Sequence, residues 1–149
     1  MATALVDEID ARILSALEID GRLSMRQLAE EVHISRANAY ARVERLTDSG
    51  VIAGFSVVVD PIKRGFGTSA YVTMNVRQTD WRDIHARLRE LAGIEHIALV
   101  GGDFDVVLLL RAQDNADLRR LVLDDIQGIP GVLNTRTLLI FEESLPQQG

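Results

Sequence analysis

Apolar positions follow a helical period through the first third of the chain, and from Thr68 alternating stretches interleave with helical ones. Ile9, Ile13, Leu14 and Leu17 recur at three- and four-residue intervals. They predict a first helix over about Asp7 to Glu18, with Asp7 and Glu8 near its positive end. Asp20-Gly21 breaks it. Ser24 followed three residues later by Gln27 fits a capping box, and Leu28, Ala29 and Val32 mark the apolar face of a second, short helix. Val32-His33-Ile34 makes a tight turn. Ser35 then caps a third helix in which Ala39, Val43 and Leu46 share one stripe, and Gly50 ends it. Val51 to Val59 is β-branched and is expected to be extended until Asp60-Pro61, with Ile62 to Gly67 as a connector.

From Thr68 the pattern alternates, Ala70, Val72, Met74 and Val76 against Ser69, Tyr71, Thr73 and Asn75, which is a strand. Thr79 or Asp80 is expected to cap a helix whose Trp81, Ile84, Leu88 and Leu91 share a face. Gly93 ends that helix before a strand over Ile94 to Val100. Gly101-Gly102-Asp103 turns the chain, and Asp105 to Arg111 is nearly all Val and Leu, as in a central strand covered on both faces. Asp114 caps a helix with Leu118, Leu121, Val122 and Ile126 inward, and Val132 to Phe141 is the last strand. The order βαββαβ contains a weak repeat, because a helix leading to Gly93-Ile94 is echoed by one leading to Gly131-Val132. That is the ferredoxin-like, split βαβ plan. Its helices cover one sheet face, and dimerisation is the simplest cover for the other.

The second and third helices have the make-up of a helix-turn-helix. Small Ala29 permits a close crossing, while Arg36, Asn38, Tyr40, Arg42 and Arg45 point away from the buried stripe. The competing reading is an ordinary helical hairpin with a solvated arginine face. Charge bears on the choice: 16 basic against 22 acidic side chains give −6, which opposes DNA at long range. Locally the balance reverses, with Arg36, Arg42 and Arg45 against Glu44 between His33 and Leu46, and Arg22 and Arg26 just upstream. The absence of cysteine excludes disulfides and thiolate metal sites and agrees with a reducing interior. No membrane span or signal peptide is evident, so a cytoplasmic location is expected.

Four segments in order carry a family resemblance: DEIDARIL from Asp7, LAEEVHIS with RVERLTDSGVIAGF, GGDFDVVLLLRAQD from Gly101, and IPGVLNTRT from Ile129. Together they resemble the Lrp/AsnC family of bacterial and archaeal transcription regulators. The expected fold class is α+β. A winged-type helix-turn-helix domain spans residues 1–51, an extended tether 52–67, and a ferredoxin-like βαββαβ (RAM-type) effector and oligomerisation domain 68–149. The helix-pair turn usually carries Gly in that family; His33 there is expected to take a positive φ at some strain.

Base reading is expected of Arg36, Ala37, Asn38, Tyr40, Ala41 and Arg42, since Arg suits guanine and Asn suits adenine. Ser35, Arg45, Arg26 and Arg22 are expected to meet phosphates. Tyr40 has a packed surface aromatic as its equal alternative. The resemblance implies an amino-acid effector near Val100, Gly101, Gly102, Asp103 and Asp105, between dimers, with help from Thr135 and Thr137. Either aspartate can pair with an ammonium, unless both merely bond local amides of a tight turn. The expected partners are thus a palindromic duplex, an amino acid and further copies of the chain, as a homodimer assembling to a tetramer of dimers. No cofactor or metal is expected. Two rivals remain: an architectural, nucleoid-associated DNA-binding protein without effector, and an enzyme using Asp103 and Asp105 as an acid/base pair. The second lacks converging groups, because His33, His85 and His96 are scattered, so no catalytic residue is expected.

Overall fold

The computed structural model describes residues 6–144. They fall into two compact units, 6–58 and 59–144, so the division lies inside the stretch read as a tether. Among the described residues no helix is long and apolar enough to cross a membrane.

The first unit holds α1 (Glu8–Ile19), α2 (Met25–Val32) and α3 (Arg36–Asp48). Each begins at a side-chain cap: Asp7 accepts from the Asp10 N–H, Ser24 from Gln27 and Ser35 from Asn38. The first two are reciprocal capping boxes, one of them the Ser24–Gln27 pair legible in the sequence. Ile13, Leu28, Val32 and Leu46 are buried at the centre, and each such side chain contributes about 1.5–3 kcal/mol. Gly50 stands past the end of α3 at φ 77°, and the Ile52 N–H closes back on the Leu46 carbonyl. The extended stretch expected over Val51 to Val59 forms no strand. Residues 53–60 pair with no strand of the described chain, and Val57, Val58 and Val59 are exposed. Extended valines become a strand only when a neighbour accepts their ladder bonds.

The second unit is a four-stranded antiparallel sheet, β1 (Thr68–Val76), β2 (Ile94–Leu99), β3 (Val106–Ala112) and β4 (Val132–Leu139), in the order β2-β3-β1-β4. Helices α4 (Trp81–Glu90) and α5 (Asn115–Arg120) connect β1 to β2 and β3 to β4. Register sets Ala70, Val72 and Met74 opposite Leu110, Leu108 and Val106. All six are buried with Ile84 and Leu88 of α4 and with Leu118. Asp114 caps α5 as the sequence indicates. Three local details depart from it. Asp80 makes no cap bond, because Gln78–Asp80 form a 3₁₀ turn in which its carboxylate accepts from Arg77 and Thr79. Beyond α5 the chain widens into a π-helical turn over Leu121–Ile126, and the Gln127 N–H reaches the Val122 carbonyl. That spacing lets Leu121, Val122 and Ile126 all bury. Finally, β3 is central but covered on one face alone, since Val107 and Leu109 stay half-buried.

The internal repeat has a geometric counterpart. Gly93 and Gly131 adopt φ 94° and 95°, and their carbonyls accept at 2.7 Å from the N–H groups of Arg111 and Arg77. A Cβ on Gly93 would lie 2.6 Å from the Arg111 carbonyl oxygen. Gly102 also has a positive φ, 126°, but faces open space. Gly93→Ala should therefore destabilise the second unit by more than about 1 kcal/mol, and Gly102→Ala by distinctly less, in urea denaturation.

Candidate nucleic-acid interface

The turn between α2 and α3 rests on one backbone choice. His33 sits in the left-handed region at φ 61° and ψ 49°, as the sequence indicates. Its N–H and that of Ile34 both reach the Ala29 carbonyl. A non-glycine residue there is strained by about 1–2 kcal/mol. Arg12 of α1 supports the same turn, donating from Nη2 to the Val32 carbonyl at 2.8 Å. That contact is not legible in the helical pattern, which sets Arg12 among solvent-facing positions.

Helix α3 then presents its first turns outward. Ser35, Arg36, Ala37, Asn38, Tyr40 and Ala41 are exposed, whereas Ala39 is buried. The Arg36 guanidinium lies 5.7 Å from the Tyr40 ring centroid, so the two form one cationic and aromatic surface. Arg26 and Glu30 form an exposed ion pair at 3.0 Å, of a kind worth at most about 1 kcal/mol and open to competition from phosphate. Arg22 is exposed, with its N–H on the Asp20 carboxylate.

Arg42 and Arg45 behave differently from what the sequence indicates. Both turn back to Asp10 of α1 instead of extending from the surface. Arg42 Nη1 lies 2.8 Å from Asp10 Oδ1 and 2.7 Å from Asp7 Oδ2, and Arg45 Nη2 lies 2.5 Å from Asp10 Oδ2. Arg42 Nε also donates to Asn38 Oδ1 at 3.1 Å. Helix geometry supplies the reason: at about 100° per residue, Arg42 lies within about 60° of both Ala39 and Leu46. It flanks the buried stripe. That i+3 and i−4 spacing is the signal in the sequence that could have placed it.

Asp10, on which this cluster converges, was not singled out by the sequence pattern. Its side chain is 1% exposed. Burial pushes its carboxyl up, but the Asp7 N–H and the Arg45 and Arg42 guanidiniums outweigh this and lower it to about 2. Arg42 likewise holds the Asp7 carboxyl below its ordinary value.

In the second unit the candidate effector hairpin follows β2. Val100, Gly101, Gly102 and Asp103 are exposed, but Asp105 turns inward. Asp105 Oδ2 accepts from the Val76 N–H at 2.9 Å, and its own N–H donates to the Met74 carbonyl. Asn75 Nδ2 donates to the Asp103 carbonyl at 3.0 Å. Phe104 packs beneath the Arg136 guanidinium, 5.6 Å from centroid to carbon. Of the two aspartates, only Asp103 presents its carboxylate outward. Register sets Thr135 and Thr137 opposite Met74 and Val72, hence on the helix-covered side of the sheet, while Arg136 is opposite Thr73 on the other. The Thr135 hydroxyl accepts from Gln127 Nε2 at 2.7 Å. Hairpin and threonines are therefore not gathered into one set of converging groups within a single chain. Among the described residues no group of three or more His, Cys, Asp or Glu is arranged to hold a metal ion.

A capped helix pair with a polar, outward third helix is the reading head of a DNA-binding transcription regulator. Comparison with known proteins agrees. Residues 6–47 match the AsnC-type helix-turn-helix domain and residues 69–148 the Lrp/AsnC ligand binding domain. The chain is 31% identical over 140 residues to a proline dehydrogenase transcriptional activator of Rhizobium radiobacter, covering 92% of this chain and 90% of that one. It is 34% identical over 142 residues to the transcriptional regulator AldR of Mycobacterium tuberculosis, covering 93% and 79%. It superposes with a TM-score of 0.86 and 28% identity on the feast or famine regulatory protein of M. tuberculosis complexed with L-methionine, covering 96% and 97%. The chain belongs to the Lrp/AsnC family.

The Asp10 cluster has a pH signature. Its folded carboxyl, at about 2, lies below the ordinary value of 3.8, so its contribution is complete above pH 3.8 and lost as pH falls toward 2. Thermal melting of the first unit should drop across that window, and Asp10→Asn, weaker at neutral pH, should show a flatter profile.

Proposed function

We propose that the chain acts as a homodimer, assembling further, that sets two copies of α3 on a palindromic duplex site and responds to an amino acid. The observation that carries the reading is the exposed, capped start of α3. Its N-terminal amides and Ser35 suit a phosphate, and Arg36 and Asn38 suit base edges in the major groove. Asn38 remains competent although its Oδ1 already accepts from Arg42. The oxygen has a second lone pair and the amide nitrogen is a donor, so bidentate contact with adenine stays open. Ala37 and Ala41 leave room for close approach, with Tyr40 beside Arg36 as a base or sugar contact. Arg22 and Arg26 are the flanking phosphate contacts. Arg42 and Arg45, held on Asp10, leave base reading to the start of the helix.

Dimerisation supplies what a single chain of net charge −6 lacks, because two reading helices add their local attraction. The sheet face away from the helices supports it, with Tyr71 and Leu138 exposed and Val107 and Leu109 half-buried. For the effector, Asp103 is the carboxylate positioned to meet an ammonium group, with Val100, Gly101 and Gly102 lending backbone. Asp105 keeps the hairpin in shape, and its engagement with the Val76 N–H leaves an acid/base pair with Asp103 without support. Thr135 and Thr137 would contribute from a neighbouring copy. The relative that forms a complex with L-methionine supports an effector of this class.

Arg36→Ala and Asn38→Ala should each weaken binding to a selected duplex by about 1–3 kcal/mol in gel-shift titration, with relaxed sequence preference. Calorimetry with the twenty amino acids, with and without that duplex, should show heat for at least one and a changed duplex affinity. If neither affinity nor sedimentation responds to any of them, the sensing role fails and an architectural DNA-binding role takes its place.

A further inference from the structure

Helix α3 carries cations that its own protein cancels. Arg42 and Arg45, the two arginines in its C-terminal half, both end on Asp10, and Arg42 reaches Asp7 as well. Two guanidiniums thus face two carboxylates, with the Arg42 side chain 20% and the Arg45 side chain 47% exposed. We propose that Asp10, assisted by Asp7, is a specificity-determining residue that withholds Arg42 and Arg45 from DNA phosphates and so holds down sequence-independent affinity.

The asymmetry of burial supports this. A phosphate that captured both arginines would leave the buried Asp10 carboxylate with the Asp7 N–H but without either of these guanidiniums, an unfavourable state for a buried charge. What the phosphate offers in return is an interaction in wet, salt-screened surroundings. The arginines therefore remain on Asp10 when DNA approaches. Each phosphate contact that a protein makes releases counterions and steepens the fall of log K with log salt by about 0.9. Withholding two arginines removes that contribution, which is the same for every sequence. Base contacts from Arg36 and Asn38 are untouched. The cluster also orients one of them, because Arg42 Nε holds Asn38 Oδ1. Non-specific attraction falls while base readout is kept, so the ratio between selected and arbitrary sites rises.

This inference rests on α3 being the DNA-facing helix. The test uses the full chain, with Asp10→Asn and Asp7→Asn as variants. Asparagine caps a helix about as well as aspartate, so Asp7→Asn keeps the start of α1 and carries the test if Asp10→Asn does not fold. Two probes are needed: a duplex of scrambled sequence and a duplex selected by the wild-type chain from a random pool. Dissociation constants are measured between about 50 and about 200 mM salt. Asp10→Asn should bind the scrambled duplex about tenfold more tightly at the low end, with a slope steeper by about 0.9 to about 1.8. The selected duplex should gain less, so discrimination falls; Asp7→Asn should shift both quantities in the same direction by a smaller amount. A role confined to holding the fold would lower the melting temperature and leave the salt slope alone. Parallel slopes and unchanged discrimination in a folded variant, with the wild type still binding, overturn this inference alone. A wild-type chain that binds neither duplex overturns the DNA-facing role of α3 along with it.

Discussion

A buried carboxylate between α1 and α3 is the constraint from which the first unit takes its form. Asp10 is almost fully removed from solvent, and a charge in that position is tolerated only with partners on every side. The Asp7 N–H, Arg42 and Arg45 supply them. Satisfying that one group fixes the start of α1 against the middle of α3. The apolar contacts of Ile13, Leu28, Val32 and Leu46 are non-directional and would allow some sliding. Charge-assisted bonds add the directionality that places a reading helix in one orientation.

The turn between α2 and α3 shows how the same unit tolerates a locally unfavourable residue. His33 takes a left-handed conformation that glycine would adopt freely. It is held there from outside, by the Ala29 carbonyl and by the Arg12 contact to Val32. In the second unit the corresponding positions, Gly93 and Gly131, are glycines, and there a Cβ would meet a carbonyl oxygen or the Asp80 side chain. Steric room separates the two cases. A side chain at position 33 points into solvent, whereas at 93 and 131 there is no space for one.

The hairpin after β2 divides its two aspartates by the same logic. Asp105 lies where the chain leaves the turn and accepts from the Val76 N–H at the end of β1, so local backbone takes its carboxylate. Asp103, two residues earlier, stands on the exposed crest. Thr135 and Thr137 lie on the other side of the sheet from Arg136, which covers Phe104. A binding site made from all of these groups requires a second chain.

Periodicity in the sequence determined most of the architecture. The helical stripes, the Ser24–Gln27 box, the Ser35 cap and the alternation from Thr68 are local, and local chemistry decides them wherever one face must be buried. The capping role of Asp114 was legible for the same reason, whereas the positive φ at His33 was expected from the glycine usual at that turn in the family. Tertiary packing decided what depends on partners far along the chain. Arg42 and Arg45 bend back toward α1 because Asp10, more than thirty residues away, is buried beside them. Residues 53–60 stay unpaired because no strand among the described residues reaches them. The π-helical turn after α5 arises because Leu121, Val122 and Ile126 must all reach one core. A residue's type and spacing state which interactions it can make, and burial selects the one it does make, because removal from water turns an optional contact into an obligatory one.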